Sequence, residues 1–416
     1  MFKAKSTYFG DVTNDKKNTG NLSNAAVVFY QRLTRPPGAD KTKGWLSVNY
    51  GLGYSRTNDF YENTSYGGNN PNTSITDYYV DRANSSNNDL LADWAYDHRL
   101  IDLYKIDPDL PDDAPNNLEY RSNADFTNGV GQRNVITRTG GQSEFNIAIG
   151  ANHSNKLYIG GSLGMTSIRY NSTIAYSENG GVFLESDAPA NNFNSVYTQN
   201  QTTRGTGFNA KLGLIYKPVE AVRLGFNFTT PTWYNMQDTY SEGLATNISG
   251  NSNYRSGPQV YGLEYNLTTP LKVAGGVAVF IKQFGFITGD VEYVDYGSAN
   301  LSSNDSFDAT FDNNNIKTFY KGAVNARVGA EARLGKFAYL RGGYNVQGNP
   351  MKENGSTIKT ASGGLGFRSG SYSVDATYTH ATGRQTLFPY EIGDLSPSAS
   401  INRSNDNVYL TLSYRF

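Results

Sequence analysis

The feature that most constrains the fold of this chain is a strict alternation of apolar and polar residues that returns in segment after segment. In the last segment the residues on one side are apolar or aromatic: Val408, Leu410, Leu412, Tyr414 and Phe416. The same period appears at 207–216, 221–229, 323–334 and 371–379. A period of two places alternate side chains on opposite faces of a β-strand. Each segment is therefore predicted to be a strand with one apolar and one polar face.

Charges on the polar faces separate this chain from a soluble β-sandwich. The polar positions of 323–334 include Arg327, Glu331 and Arg333, and those of 371–379 include Asp375. A water-filled lumen accepts such residues while the opposite face meets lipid. The pattern predicts an all-β fold, a transmembrane antiparallel β-barrel with a polar lumen.

About fourteen strands are predicted, an even number, as single-chain bacterial barrels have. They are expected near 2–9, 24–33, 44–56, 141–152, 155–170, 204–217, 221–230, 260–282, 285–297, 320–334, 337–346, 358–369, 371–382 and 405–416. Segment 260–282 contains Pro270 and is interpreted as one kinked strand, because proline cannot donate to a ladder. Short connectors such as 153–154 alternate with long ones such as 57–140, 171–203 and 231–259. Short periplasmic turns and long extracellular loops are typical of this class.

The composition fits one barrel domain over 1–416. Mean hydropathy is -0.54, yet the chain has 31 Tyr and 21 Phe, which argues against disorder. A net charge of -1 gives no electrostatic basis for nucleic-acid binding, and the absence of Cys excludes disulfides and thiol chemistry. The residues after Met1 contain no apolar signal-peptide core, so the N-terminus is expected to be truncated or processed.

Residues 207–242 and 325–350 resemble the FadL-type transporters of long-chain fatty acids and hydrocarbons. The resemblance continues through 275–296, 407–416 and part of 24–56, which is similar to a Bacteroidetes branch whose members are often labelled haemin receptors. It implies a fourteen-strand barrel with an N-terminal hatch, an apolar capture groove in the loops, and lateral release of ligand. The Asn-Pro-Ala motif of the hatch is absent before Asn24, so the hatch is expected to be missing or truncated.

Two apolar clusters are candidates for ligand binding. The first lies in a predicted short helix and its surroundings, at 89–104 of the long extracellular loop 57–140: Leu90, Leu91, Trp94, Leu100, Ile101 and Tyr104. The second begins where a strand ends: Trp233, Tyr234 and Met236. The first cluster is better explained as a core that holds the loop together, and the second as part of an interfacial girdle of aromatic residues.

Charged residues predicted to face the lumen form a third candidate set: Arg223, Asp290, Glu292, Arg327, Glu331, Arg333, Arg341 and Asp375. They would either steer a carboxylate headgroup or form a paired ionic network. Because both signs are mixed, the sequence favours the network.

Three weaker patterns have plainer explanations. The acidic segment 107–113 offers oxygen ligands for Ca²⁺ but lacks the spacing of a calcium loop. His98 is the least implausible axial ligand for haem, and His380 the least implausible base of a hydrolase. None of these forms a recognisable motif, so no enzyme, metal or cofactor is predicted.

Tyr414 and Phe416 fit the C-terminal signal that the barrel assembly machinery reads in outer-membrane proteins. The sequence therefore predicts a non-enzymatic protein of the bacterial outer membrane, in contact with lipid and lipopolysaccharide, that passively takes up hydrophobic small molecules such as long-chain fatty acids. Two alternatives stay open: a non-transporting barrel that docks an envelope protein partner, and a haemin receptor.

Overall fold

A computed structural model describes residues 1–416 except 35, 37, 39, 86–88, 108, 112–116, 186–187 and 304–306. The first strands are β1 (Phe2–Tyr8), β2 (Asp11–Lys17), β3 (Asn24–Arg32), β4 (Trp45–Asp59) and β5 (Glu62–Asn70), followed by helices α1 (Ile75–Ser85) and α2 (Leu90–Asp97). Then come β6 (Ile101–Lys105), β7 (Leu118–Ser122), β8 (Ala124–Asp125), β9 (Val130–His153), β10 (Leu157–Val182) and β11 (Asn191–Val219).

The second half continues with β12 (Val222–Thr229), β13 (Trp233–Ile248), β14 (Asn253–Thr268), β15 (Lys272–Ile281), β16 (Gly285–Asp295) and β17 (Asn300–Ser302). It ends with α3 (Thr310–Phe319), β18 (Gly322–Leu334), β19 (Ala338–Gln347), β20 (Ile358–Ser369), β21 (Tyr372–Leu387) and β22 (Ala399–Tyr414). No described helix is long and apolar enough to cross a membrane.

The predicted all-β fold is confirmed, and one large antiparallel sheet forms the barrel wall. Neighbouring strands follow a single path: β3, β4, β9, β10, β11, β12, β15, β16, β18, β19, β20, β21, β22, β1 and β2. The two sides meet where Phe29 of β3 lies 6.2 Å from Phe416, measured between ring centroids. In the described part of the chain, that junction is a side-chain contact without a backbone ladder.

The prediction that 260–282 forms one strand is wrong, because its backbone pairing is interrupted and the segment forms the end of β14 and the whole of β15. β14 pairs with β13 and β15 pairs with β12, although the register is the same on both sides of the break, from Thr229 opposite Lys272 to Trp233 opposite Thr268. Pro231 and Pro270 consequently lie opposite each other. Neither has an N–H to donate, so the ladder stops at both prolines at once.

Strands β9, β10 and β11 are far longer than predicted, at 24, 26 and 29 residues. A tilted membrane strand needs only about 9–11 residues, so these strands extend well beyond the wall. The predicted loops 171–203 and 231–259 are in large part the hairpins β10–β11 and β13–β14. Loop 57–140 holds β5 to β8, both α1 and α2, and the start of β9, where only one helix was predicted.

We call the projecting part the cap: β5 to β8, α1, α2, and the distal ends of β9, β10, β11 and β13. Tyr390, from the connector between β21 and β22, completes its core, which otherwise consists of cap side chains that point inward: Ile75, Tyr79, Leu91, Trp94, Ala95, Leu100, Ile101, Val130, Tyr176, Val182, Phe193, Tyr197, Leu244 and Ile248. The opposite end of the barrel carries the short turns and is called the turn end.

Candidate functional site

The charged residues of the inner wall mostly pair with one another. Arg327 lies 3.0 Å from both Asp290 and Glu292, between guanidinium nitrogens and carboxylate oxygens. Arg341 pairs in the same way with Glu331, at 2.9 Å, and with Asp375. Six of the eight predicted lumen charges therefore form two compact ionic clusters, which favours the network over a headgroup-steering role.

The two remaining lumen charges behave differently. Arg223 stacks over the ring of Phe280, with its guanidinium carbon 4.2 Å from the ring centroid. Arg333 is exposed and forms no ion pair with any described residue. It is thus a free cation on the inner wall, close to the turn end.

The first predicted ligand cluster lies in the cap, where most of it forms the core. Leu100 and Ile101 are completely buried, and Leu91 and Trp94 are nearly so, while Leu90 is exposed. The hydroxyl of Tyr104 donates to Asn123 at 3.1 Å. This arrangement matches the alternative in which these side chains hold the long loop together.

The second predicted cluster is split between the two faces of β13. Trp233 points outward and packs on Phe208, with ring centroids 5.1 Å apart. Tyr234 points inward and is buried, and its hydroxyl lies 2.7 Å from the side-chain amide of Gln142. Met236 is buried as well. A strand cannot place all three on one ligand surface, because successive side chains alternate.

His98 is buried in the cap with both ring nitrogens engaged. Nδ1 lies 3.0 Å from the hydroxyl of Thr246, and Nε2 lies 2.9 Å from that of Ser256. Burial lowers the pKa of His98 to about 4, so the ring is neutral at pH 7. No ring nitrogen is open toward an iron, which removes the basis for the haemin hypothesis at this residue.

The other weak patterns yield no site. Within 107–113, residues 108, 112 and 113 lie outside the described residues. In the described part of the chain, no group of three or more His, Asp or Glu side chains is arranged to hold a metal ion. His380 sits on the outer face, where its Nδ1 lies 2.7 Å from the carboxylate of Asp406.

A pocket that the sequence did not predict lies inside the barrel at the base of the cap. It has a volume of about 570 Å³. Its apolar lining comes from β1, the junction of β4 with β5, β10, and the connector to β20 together with the start of that strand: Phe2, Phe60, Tyr61, Tyr170, Pro350, Met351 and Ile358. We call it the upper-lumen pocket.

A break between β4 and β5 brings the aromatic side chains into this pocket. The break lies beside Gly140, whose φ is +115°, a conformation that other residues rarely adopt. A Cβ at Gly140 would come within 2.1 Å of the carbonyl oxygen of Arg169. Phe60 lies in the break and packs edge-to-face on Tyr170, with ring centroids 5.4 Å apart.

On the polar side of the pocket, two of its three arginines share the carboxylate of Glu62. Arg138 of β9 lies 2.9 Å from one oxygen of Glu62, and Arg403 of β22 binds the other oxygen. Thr64 donates a further hydrogen bond of 2.9 Å to the same carboxylate. Glu62 is nearly buried. The cluster therefore holds two positive charges against one negative charge.

The excess positive charge is not satisfied by hydrogen bonds. The Nε atoms of Arg138 and Arg403 are both buried, and neither has a hydrogen-bond partner. A buried donor without a partner costs about 1–3 kcal/mol. The side chains of Arg138 and Arg403 remain 23% and 25% exposed, so an anionic group in the pocket would gain charge-assisted bonds from their accessible N–H groups.

Sequence reasoning missed this pocket because its parts are far apart along the chain. Glu62 meets Arg138 across 76 residues and Arg403 across 341. One local signal was available: Phe60 and Tyr61 form an apolar pair at the start of an otherwise polar connector. The convergence of the two arginines depends on which strands become neighbours when the barrel closes.

Comparisons with solved structures find chains that are similar along the whole length of this one. A toluene transporter, TodX of Pseudomonas putida, has 11% identity and a TM-score of 0.49, and the match covers 100% of this chain and 87% of that one. A FadL homologue of Pseudomonas aeruginosa has 12% identity and a TM-score of 0.45, with 99% and 87% covered. The toluene transporter TbuX of Ralstonia pickettii has 13% identity and a TM-score of 0.42, with 100% and 87% covered. No family model and no curated protein sequence matches the chain.

Proposed function

We propose that this chain is an outer-membrane barrel that passively takes up hydrophobic small molecules with an anionic end, such as long-chain fatty acids. The observation that carries the proposal is the upper-lumen pocket. An acyl chain would lie on its aromatic and aliphatic lining, and a carboxylate would accept hydrogen bonds from Arg138 and Arg403.

The outer wall supports a membrane location. Outward-facing side chains in the lower part of β9 and β10 are large and apolar, as at Ile147, Ile149 and Leu163, and they are more than half exposed. Burying such residues in lipid stabilises by roughly 25 cal/mol per Å² of apolar surface. Tyr414 and Phe416 are exposed on the same face near the C-terminus, which suits recognition by the barrel assembly machinery.

In the proposed mechanism, a ligand excluded by lipopolysaccharide enters between the cap and the wall and fills the upper-lumen pocket. Its apolar part replaces water there, and its headgroup binds the two arginines. The break between β4 and β5 beside Gly140 then provides a weak point in the wall, through which the ligand leaves sideways or inward. The described residues imply no energy source.

A test removes the excess cation while keeping Glu62 paired. Arg403→Met leaves one arginine against one carboxylate, and we expect oleate to bind about tenfold more weakly because a charge-assisted hydrogen bond is lost. Binding of a neutral long-chain alcohol should change little. The measurement is titration calorimetry on the purified protein in neutral detergent.

Arg333→Met is the matched control, because it removes an unpaired inner-wall arginine outside the pocket. Uptake of oleate into proteoliposomes should fall with Arg403→Met and stay unchanged with the control. Equal effects of the two variants, or no oleate binding by the unmodified chain, would refute the proposed site.

The second candidate function is that of a docking subunit, favoured by the paired inner-wall charges and the self-packed cap. In that case the barrel would bind no oleate and would copurify with an envelope protein through the cap. Proteoliposome uptake at the rate of protein-free vesicles would support this alternative.

A further inference from the structure

The outer face of the barrel carries a dense group of positive charges on strands β20, β21, β22, β1 and β2. Strand register places Lys16 opposite Lys3, Lys3 opposite Ser404, Ser404 opposite Thr382, and Thr382 opposite Lys359. Directly opposed residues lie on the same face. These five side chains therefore form one continuous row across five strands.

The next row toward the cap repeats the pattern with Asn14, Lys5, Asn402 and Arg384. The two rows together hold five cations and no carboxylate. Lys5, Lys16, Lys359 and Arg384 are exposed and pair with no acidic side chain in the described part of the chain. We call these two rows the outer basic patch.

The row just below the patch contains an acidic residue that pairs with one of its cations. Asp406 lies 2.8 Å from Lys3, between carboxylate and ammonium. The same carboxylate accepts hydrogen bonds from Tyr378 at 2.6 Å and from His380 at 2.7 Å. Asp406 is therefore fully engaged and leaves four of the five cations of the patch without a counter-ion.

Apolar residues continue directly below Asp406 on the same face of β22. Val408, Leu410 and Leu412 are 78%, 68% and 72% exposed. This part of the wall faces acyl chains in the proposed membrane location. The outer basic patch therefore lies at the level where the phosphate groups of membrane lipids begin.

The patch also forms a groove, and it contains a charge repulsion that a bound anion would relieve. Its residues line a groove of about 600 Å³, in which Thr382, Ser404 and Asn402 supply hydroxyl and amide groups and Asp15 lies at the border. Lys3 directly opposes Lys16, and like charges at such positions destabilise a sheet. A phosphate between them would convert that repulsion into attraction.

We propose that the outer basic patch is a binding site for the phosphates of a lipid A-type glycolipid in the outer leaflet, whose acyl chains lie against β22. A lipid is favoured over a free anion because the cations adjoin the apolar wall. The inference rests on membrane insertion of the barrel but not on transport through it.

The test uses the full chain purified in neutral detergent, with native mass spectrometry to measure the binding of diphosphoryl lipid A. The variant Lys5→Gln/Lys16→Gln/Lys359→Gln should bind it at least about tenfold more weakly, since it removes three of the five basic residues that attract the phosphates. Lys41→Gln/Lys282→Gln/Lys336→Gln removes three exposed charges outside the patch and should bind like the unmodified chain.

Two further measurements distinguish binding of a lipid phosphate from binding of free phosphate. Dephosphorylated lipid A should bind weakly to all three proteins, and inorganic phosphate at the same concentration should not compete. Equal lipid A binding by the two triple variants would overturn the proposal, and so would full competition by inorganic phosphate. Oleate binding should be the same in all three proteins, so failure here is distinct from failure of the upper-lumen pocket.

Discussion

The lower wall and the cap use the same strands with opposite polarity. In the lower half of β10, Ile159, Leu163 and Met165 point outward and are exposed, while polar residues and glycine point inward. In the upper half, Tyr176 and Val182 point inward and are buried. Along β10, the apolar side chains thus change from the outer face, where Met165 lies, to the inner face, where Tyr176 lies. The cap buries its apolar side chains inside, as a soluble protein does, whereas the wall carries its apolar side chains on the outer face.

This comparison predicts that one substitution has different effects in the two regions. Leu100→Ala in the cap core should destabilise the cap by about 2–5 kcal/mol, because it leaves a cavity. Leu163→Ala on the outer wall should cost much less, since lipid or detergent refills the space. Amide hydrogen exchange of residues 75–101 measures the cap, and the heat-dependent gel shift measures the barrel. Equal losses in both variants would contradict the division.

A charge placed on the two faces of the wall sharpens the comparison. Leu365→Arg puts a cation on the outer face, where it should cost about 2–4 kcal/mol near the centre of the membrane. Thr379→Arg puts the same side chain on the inner face and should cost about 1 kcal/mol or less. Urea titration of the barrel refolded in vesicles gives both values. If the inner-face variant is the more harmful one, the assignment of faces is wrong.

A smaller, pH-dependent effect is expected inside the cap. Glu178 lies between Tyr176 and Val182 in the cap half of β10 and is completely buried. It accepts hydrogen bonds from the amide of Ile75 at 2.9 Å and from Gln132 at 3.3 Å. Burial raises the pKa of Glu178 to about 7, although these hydrogen bonds oppose the shift. The folded cap therefore binds a proton more tightly than the unfolded chain between pH 4.5 and 7, and its stability falls as the pH rises through that window.

Glu178→Gln removes this titration. The variant should gain about 1–3 kcal/mol over the unmodified protein when the pH is raised from 5 to 8. Hydrogen exchange at the start of α1 provides the measurement at both values. A difference between the two proteins that does not change with pH would contradict the buried, protonated carboxylate.

The sequence predicted the wall well and the cap poorly, for a physical reason. The predicted strand 358–369 has the same bounds as β20, because apolar alternation on a lipid-facing strand is strong. The distal halves of β10 and β11 were predicted as loop, since they consist mostly of Asn, Ser, Thr and Gln and their few apolar residues sit on the other face. A period of two can be recognised only where one face is consistently apolar.

The candidate site shows the same limit. The charges of the inner wall were assigned from alternation alone, and their pairing followed from adjacent strands such as β16 and β18. The upper-lumen pocket joins segments from both ends of the chain, and no local pattern encodes that meeting. Trp233, Tyr234 and Met236 were grouped because they are near in sequence, although the strand separates their side chains.

The opposed prolines Pro231 and Pro270 have a consequence for how such a chain can change over time. They end the ladder of β12 with β15, and the hairpin beyond them, β13 with β14, begins a separate ladder that is held to the wall through β11. Lengthening, shortening or replacing that hairpin would leave the pairing of β12 with β15 intact. The prolines therefore mark a boundary. The hairpin on the cap side of it can vary in evolution, while the strand pairing on the other side stays the same.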